Sequence, residues 1–339
     1  MKILVTGGLG FIGSHTVVQL QKKGYQVVII DNLSNTTLDV LEGIVAITGQ
    51  PPIFEKLDLK DKAAVQNFFK SHQDIQGVIH FAASKAVGES VVNPLLYYEN
   101  NINTLVYVLQ ELTKLKTSNF IFSSSCTVYG QADTMPISET APIKVAQSPY
   151  GNTKQIGEEI IKDTCQVYPK LKSIALRYFN PIGAHESSKI GELPIGVPQN
   201  LIPYITQTAI GKRAQLSVFG NDYPTIDGTC VRDYIHVVDT AKAHVVALQR
   251  LLNNENQSNF EVFNIGTGQG STVLEVIKAF EKVSNTKLNY KIVGRRPGDV
   301  VSVFADTTKA NNILGWKAEY NLEDAILSAW KWQNTIKQD

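Results

Sequence analysis

Tyr150 and Lys154 stand four residues apart in the stretch SPYGNTK, directly after Pro149. A proline suits the first turn of a helix, and positions four apart on a helix share one face, so a phenol and an ammonium can point into one site. The chemistry such a pair suits is proton transfer. A phenol with a pKa of about 10 is a poor base at neutral pH, and a neighbouring cation favours its ionised form. Tyr and Lys at this spacing also occur on ordinary amphipathic helices. The elements that must position the pair therefore carry the argument.

Short apolar runs recur at fairly regular intervals: KILVT (2–6), QVVIID (26–31), PIFEKLD (52–58), GVIHFAA (77–83), NFIFSSS (119–125) and KSIALRYF (172–179). They read as buried strands. Between them lie GSHTVVQLQKKG, DKAAVQNFFKSH and PLLYYENNINTLVYVLQELTKL, with apolar residues three and four apart, the period of a helix. Strand and helix alternating in this way predict a parallel sheet covered on both faces, because each parallel crossover needs a connecting helix. The fold class expected is doubly wound α/β. From about residue 181 the pattern changes, with frequent Gly and Pro in NPIGAHESSKIGELPIGVPQN. The expected division is a Rossmann domain of residues 1–180 plus about 234–264, and a smaller α/β domain of about 181–233 plus 265–339. DYIHVVDTAKAHVVALQRLL and FEVFNIG are the segments expected to return to the first domain.

The first crossover, KILVTGGLGFIGSHTVVQL, places Gly7, Gly8, Gly10 and Gly13 between a strand and a helix. A backbone approaching a pyrophosphate needs positions without side chains, and the helix N-terminus attracts the anion. Either Gly7 or Gly8 can carry the turn. Asp31 ends the next strand, 18 residues beyond Gly13, where a carboxylate receives ribose hydroxyls and repels the extra phosphate of NADP. The cofactor expected is NAD. A flavodoxin-like bend is the plainer alternative, and the acid after the second strand speaks against it. Ser125, at the end of the fifth run, lies where ligands bind in open α/β sheets, beyond the carboxyl ends of the strands.

Composition narrows the function classes. Among 339 residues, 32 Lys and Arg nearly balance 31 Asp and Glu without a basic run, so there is no electrostatic footprint for nucleic acid. Cys126, Cys165 and Cys230 lie far apart, which argues against a disulfide framework and a cysteine zinc site and fits a reducing cytoplasm. Cys126, beside Ser125, reads as a small buried residue rather than a nucleophile. Six histidines show no metal-binding pair, so no metal is expected. The N-terminal apolar run is too short for a signal peptide, and no run reaches membrane-spanning length.

TGGLGFIG, Asp31, the serine strand and YxxxK, in that order, resemble the extended short-chain dehydrogenase/reductase family. Within it, FAASKAVGES, SSSCTVYG, SPYGNTK, RYFNPIGAH, FGNDYPTIDGTCVRDYIHV and RRPGD resemble the UDP-hexose 4-epimerases, over nearly the whole chain. The resemblance implies reversible epimerisation at C4 of UDP-glucose and UDP-galactose through a transient 4-keto sugar, with tightly held NAD. It implies Ser125, Tyr150 and Lys154 as catalytic residues, with Lys154 lowering the pKa of Tyr150. For the cofactor it implies Gly7, Gly10, Phe11, Ile12 and Gly13 at the turn, with Asp31, Asn32, Asn35, Asp58 and Leu59, and again Ser125, Tyr150 and Lys154, the lysine at the nicotinamide ribose. Phe81, Ala82, Ala83, Lys85, Asn100 and Tyr178 complete that set. For the UDP-sugar it implies Phe179, Asn180, Asn200, Leu201, Ser217, Phe219, Arg232, Tyr234, Arg296, Asp299 and Val303. Arginines clamp a pyrophosphate with paired donors and an aromatic covers uracil; either arginine alone would read as a surface salt bridge.

Two other readings share the fold. A sugar 4,6-dehydratase needs an extra acid and base after the serine strand, where this chain has Ser125, Cys126 and Thr127 and no carboxylate. A dinucleotide-sensing regulator has no reason to keep Ser125, Tyr150 and Lys154 together. Val303 falls where the family has a residue near the sugar, and a small side chain there leaves room for a 2-acetamido group, extending the expected range to UDP-N-acetylglucosamine and UDP-N-acetylgalactosamine. A homodimer is expected, and Tyr97, Leu105, Val108 and Leu112 serve either a helical interface or the core.

Overall fold

The computed structural model describes residues 1–115, 118–296 and 299–336. The first half alternates strand and helix as β1 (Lys2–Thr6), α1 (Phe11–Lys22), β2 (Gln26–Asp31), α2 (Asp39–Thr48), β3 (Ile53–Lys56), α3 (Lys62–Ser71) and β4 (Ile75–His80). There follow α4 (Val87–Val92), α5 (Pro94–Leu112), β5 (Ser118–Ser125), α6 (Pro149–Val167) and β6 (Leu171–Tyr178). The chain continues through β7 (Asn180–Ile182), α7 (Leu201–Ala209), β8 (Leu216–Phe219), β9 (Val231–Arg232), β10 (Tyr234–His236), α8 (Val237–Leu252) and β11 (Phe260–Ile265). It ends with β12 (Ser271–Thr272), α9 (Val273–Ser284), β13 (Tyr290–Val293), β14 (Ser302–Val303) and α10 (Leu322–Thr335).

Seven strands form one sheet in the order β11-β6-β5-β4-β1-β2-β3, with every neighbouring pair parallel. The order reverses between β1 and β4, which opens the crevice where such sheets bind ligands. Residue alternation along the strands builds two cores. Ile3, Val5 and Ile29 face Val17, Val18 and Leu20 of α1 and Ala243, Ala247 and Leu248 of α8. Leu4, Val28 and Ile30 face the opposite way, toward Phe68 and Phe69 of α3, Leu105 and Val108 of α5 and Ile161 of α6. This is the period of two expected of strands covered on both faces.

Farther along the chain, α8 packs on α1 and β11 adds a seventh strand beside β6. β10 differs from the expectation: it leaves the large sheet and pairs in parallel with β7, Tyr234 opposite Asn180. A separate core of Ile182, Ile202, Ile205, Leu216, Tyr234, Ile277, Phe280 and Ile326 holds the smaller α/β part together. Tyr97, Leu105, Val108 and Leu112 are fully buried, so they are core residues. The exposed apolar residues near the start of α5 are instead Val91, Val92, Leu95 and Leu96. Among the described residues, no helix is long and apolar enough to cross a membrane.

Candidate active site

Gly7 adopts the left-handed conformation, φ +67°, and so carries the turn between β1 and α1. A Cβ on Gly7 would lie 2.9 Å from the backbone nitrogen of Ala82, and one on Gly13 would lie 2.2 Å from the carbonyl oxygen of Gly7. The turn closes through Gly10 N–H donating to the Gly7 carbonyl, at 3.1 Å. Gly10 is the N-cap of α1, and no side chain caps the amides that follow it. A helix start without a capping side chain, set in a cradle of glycines, fits a pyrophosphate. The Asp31 carboxylate accepts the amides of Leu9, at 3.1 Å, and Leu33, at 2.9 Å. Burial holds its pKa above the usual carboxylate value, with the two amides acting against that shift. Leu33 pays for this turn with a left-handed backbone, φ +61°.

Beyond the ends of β5 and β6 lies a second group of residues. Ser148 caps α6 by accepting the Gly151 amide, and Pro149 occupies the first turn, which orients Tyr150 and Lys154. Gly157 lets the helix lie close on the sheet, because a Cβ there would come 2.8 Å from the Phe122 ring. Lys154 is thereby buried, its ammonium donating to the Ser123 carbonyl at 2.6 Å and lying 5.8 Å from the centre of the Tyr150 ring. Ser125 lies beside the Tyr150 phenol, and its Oγ accepts the Thr127 amide at 3.2 Å. The register of β5 on β6 sets Ser125 opposite Tyr178, whose hydroxyl bonds Ser123 Oγ at 2.5 Å.

The charge states differ from the sequence expectation. Burial pushes the Tyr150 phenol well above its ordinary value, and the neighbouring Ser125 hydroxyl opposes this only in part. Burial likewise pulls Lys154 down to about 8, with Glu158 working against the fall. Removal from water dominates both groups in the protein alone.

The smaller part of the chain brings the remaining candidates toward the same crevice. Arg232 donates to Asp299 at 2.7 Å and Arg296 donates to the same carboxylate oxygen at 3.2 Å, so two guanidiniums share one acid. Arg296 also lies over the ring of Phe219 at 5.7 Å, and Phe219 is 42% exposed. Pro297 and Gly298, between these groups, lie outside the described residues. Tyr234 and Phe179 are buried, and Asn180, half-buried, pairs opposite Tyr234 with its backbone N–H donating to the Asp233 carbonyl at 3.0 Å. Val303 packs with Phe179, Val128 and Cys126, not in the core of the smaller part.

A family model described as GDP-mannose 4,6 dehydratase matches residues 4–328. A curated protein of Bacillus subtilis (strain 168), UDP-glucose 4-epimerase, is 49% identical over 335 residues, covering 99% of this chain and 97% of its own. The chain belongs to the UDP-glucose 4-epimerase family. A crystal structure of the family's enzyme from Stenotrophomonas maltophila, with bound NAD and formylated UDP-arabinopyranose, superposes with a TM-score of 0.94 at 46% identity and 98% coverage of both chains. The UDP-Glc/GlcNAc 4-epimerase of Campylobacter jejuni is 38% identical, with a TM-score of 0.85 and 99% coverage of both chains.

Around the cofactor crevice of this family member, Asn32 donates to Asp58 at 3.3 Å and Leu59 is buried beneath them. Asn35 is exposed on the bend beyond Leu33. Phe81 packs on His244 with ring centres 4.6 Å apart and planes tilted by 47° and, with Ala82 and Ala83, follows β4 at the switch point. Asn100 donates to Ser84 Oγ at 3.1 Å. Phe11 and Ile12 open α1, Phe11 beneath the ammonium of Lys85 at 5.9 Å. Ser217 lies on β8, and Asn200 and Leu201 start α7. Sequence reasoning missed Glu192, which accepts from Asn200 at 2.6 Å and pairs with Lys85 at 3.5 Å, joining a cofactor candidate to a substrate candidate. A lone acid in a Gly- and Pro-rich segment carries no periodic signal. It also missed Glu158, which the spacing from Lys154, one helical turn earlier, points to directly.

Proposed function

We infer that this chain interconverts UDP-glucose and UDP-galactose at C4. The observation that carries the reading is the convergence of Ser125, Tyr150 and Lys154 at the carboxyl ends of β5 and β6, next to a glycine turn that fits a dinucleotide. Tyr150, as phenolate, accepts the proton of the sugar 4-hydroxyl, and Ser125 hydrogen-bonds the same oxygen. Lys154 supplies the positive charge that favours the phenolate over the buried neutral phenol. The glycine turn at Gly7, Gly10 and Gly13 together with Asp31 would hold NAD, which would supply a reversible hydride acceptor for C4. The 4-keto sugar presents its other face, and Tyr150 gives the proton back. Arg232, Arg296 and Phe219 hold the UDP moiety, leaving the hexose free to turn. Proton NMR of the purified protein with UDP-galactose and no added nucleotide tests this, the UDP-glucose anomeric signal being the expected result. No conversion, with or without added NAD, sinks the reading.

The dehydratase alternative gains no support from the turn after β5. Burial pushes the Cys126 thiol up to about 12, so it is neither an acid nor a nucleophile at neutral pH. On the cofactor side, Asp31 is the residue that selects NAD. Asp31→Asn is expected to weaken NAD binding by roughly tenfold or more, the worth of hydrogen bonds to a charged acceptor. Titration of cofactor-stripped protein with NAD and NADP checks this, and unchanged NAD affinity refutes the assignment.

The substrate range extends to the N-acetylated UDP-hexoses on the strength of Val303. It is half-buried beside Phe179, and Asn200 is turned away to Glu192. Val303→Tyr is expected to abolish turnover of UDP-N-acetylglucosamine while UDP-glucose turnover persists. Absence of N-acetyl turnover in the unaltered protein refutes the extension. The same reading places the protein in the cytoplasm as a homodimer, supported by three free cysteines and by the exposed Val91, Val92 and Leu95.

A further inference from the structure

Directly beneath the reacting groups lies a buried ion pair that the mechanism above does not use. Glu158 and Arg177 are both less than a tenth exposed. Arg177 Nε donates to Glu158 Oε1 at 2.9 Å and its Nη2 to Oε2 at 2.5 Å, a two-pronged pair, while Ser124 Oγ donates to Oε1 at 2.5 Å. The guanidinium is backed by the Tyr129 ring at 4.8 Å, and the Tyr129 hydroxyl is anchored on Asn264. A buried ion pair is weak evidence for stability, because desolvating both charges offsets their attraction. Its position is more informative than its strength.

The three consecutive serines at the end of β5 each have a different tie. Ser123 gives its carbonyl to Lys154 and its hydroxyl to Tyr178, Ser124 gives its hydroxyl to Glu158, and Ser125 Oγ accepts the Thr127 amide beside Tyr150. Glu158 is one helical turn beyond Lys154 on α6, and Arg177 precedes Tyr178 on β6. The pair thus pins the strand ends and the helix that carry all three reacting residues.

We propose that Glu158 is a positioning residue that keeps Lys154 a charged ammonium aimed at the Ser123 carbonyl, with Arg177 holding the Glu158 carboxylate in place and tempering its charge, which rests on the epimerase reading above. The other titratable groups near Lys154 carry no charge at neutral pH. His80 on β4 is held by burial at about 3, Tyr178 on β6 and Cys126 after β5 are pushed up to about 12, and Tyr150 and Tyr97 are also raised by burial. Glu158 is the one group whose charge sustains the ammonium against burial. Arg177, paired with that carboxylate, carries the opposite charge and by Coulomb's law opposes the ammonium.

The two members of the pair therefore act on Lys154 with opposite sign, which a purely structural role would not do. Activity needs the ammonium and is lost as pH rises through the Lys154 pKa. Glu158→Gln removes the supporting charge, and the alkaline limb of the kcat profile is expected about one pH unit lower. Arg177→Gln leaves the carboxylate uncompensated, and the limb is expected higher than in the unaltered enzyme. The double variant, which leaves neither charge unpaired, is expected between the unaltered enzyme and Glu158→Gln, and it carries the test if a single variant does not fold. Glu158→Asp, which keeps the charge, is expected to restore most of the limb. The measurement is initial UDP-galactose turnover by the NAD-loaded enzyme from pH 6 to 10. Limbs that stay fixed, or that move the same way in both single variants, overturn the proposal. No turnover by the unaltered enzyme overturns the epimerase reading instead.

Discussion

Tyr150→Phe lowers kcat by about a thousandfold, within the range of roughly 10²–10⁴ that a positioned acid or base contributes. The substitution removes one oxygen and keeps the ring, so the packing of this buried side chain survives and the variant folds. Ser125 still offers its hydroxyl to the sugar, but a serine has no charged form to take the proton. NAD and UDP bind through other residues, so their affinities stay close to those of the unaltered protein. The defect therefore lies in kcat and not in KM. Single-turnover reduction of bound NAD by UDP-glucose, followed at the nicotinamide absorbance, isolates the step. A variant within tenfold of the unaltered rate would assign the proton transfer to another group.

Gly13→Ala is expected to yield protein purified without NAD and with a lower Tm. The added methyl would sit 2.2 Å from the Gly7 carbonyl oxygen and 3.0 Å from the Gly8 Cα, and neither backbone atom is a flexible side-chain end that can swing aside. Relief requires α1 to move off the turn, and its first amides then no longer meet the pyrophosphate. Gly24→Ala is the matching control. It has a left-handed backbone but nothing within 4 Å of an added Cβ, so it bears a local conformational cost and keeps its cofactor. Cofactor content from the absorbance of denatured protein, with thermal unfolding in parallel, reads both. Full NAD occupancy in Gly13→Ala would refute this account of the turn.

The contrast between Tyr150 and Lys154 changes how their spacing is understood. Four residues on a helix suggest that the ammonium lowers the phenol. The structure places both away from water, where the phenol rises and the ammonium falls. A desolvated pair resists forming two charges unless further charges support them. Glu158 supplies one such charge for Lys154. Opposite shifts in Glu158→Gln and Arg177→Gln are the signature that this support is electrostatic.

Much of this protein is legible in one dimension. Strands 2–6 and 26–31 match their apolar runs to the residue, because a strand covered on both faces has to be continuously apolar. Gly10, Gly13 and Asp31 announce a dinucleotide turn because backbone clearance and ribose recognition each demand one residue type at one place. Even the choice of Gly7 over Gly8 waited only for a backbone angle. What the chain order conceals is convergence across crossovers. Asn200 and Lys85 meet on Glu192, more than a hundred residues from Lys85, and Arg232 and Arg296 meet on Asp299. β10 pairs with β7 rather than joining the large sheet, which sets Tyr234 opposite Asn180. Burial belongs to the same class, since it assigned Tyr97, Leu105, Val108 and Leu112 to the core and moved both pKa values against the helical spacing. Periodicity and steric demand act between near neighbours and are written in the sequence; desolvation and through-space charge depend on every segment packed around a group, so only the tertiary structure decides them.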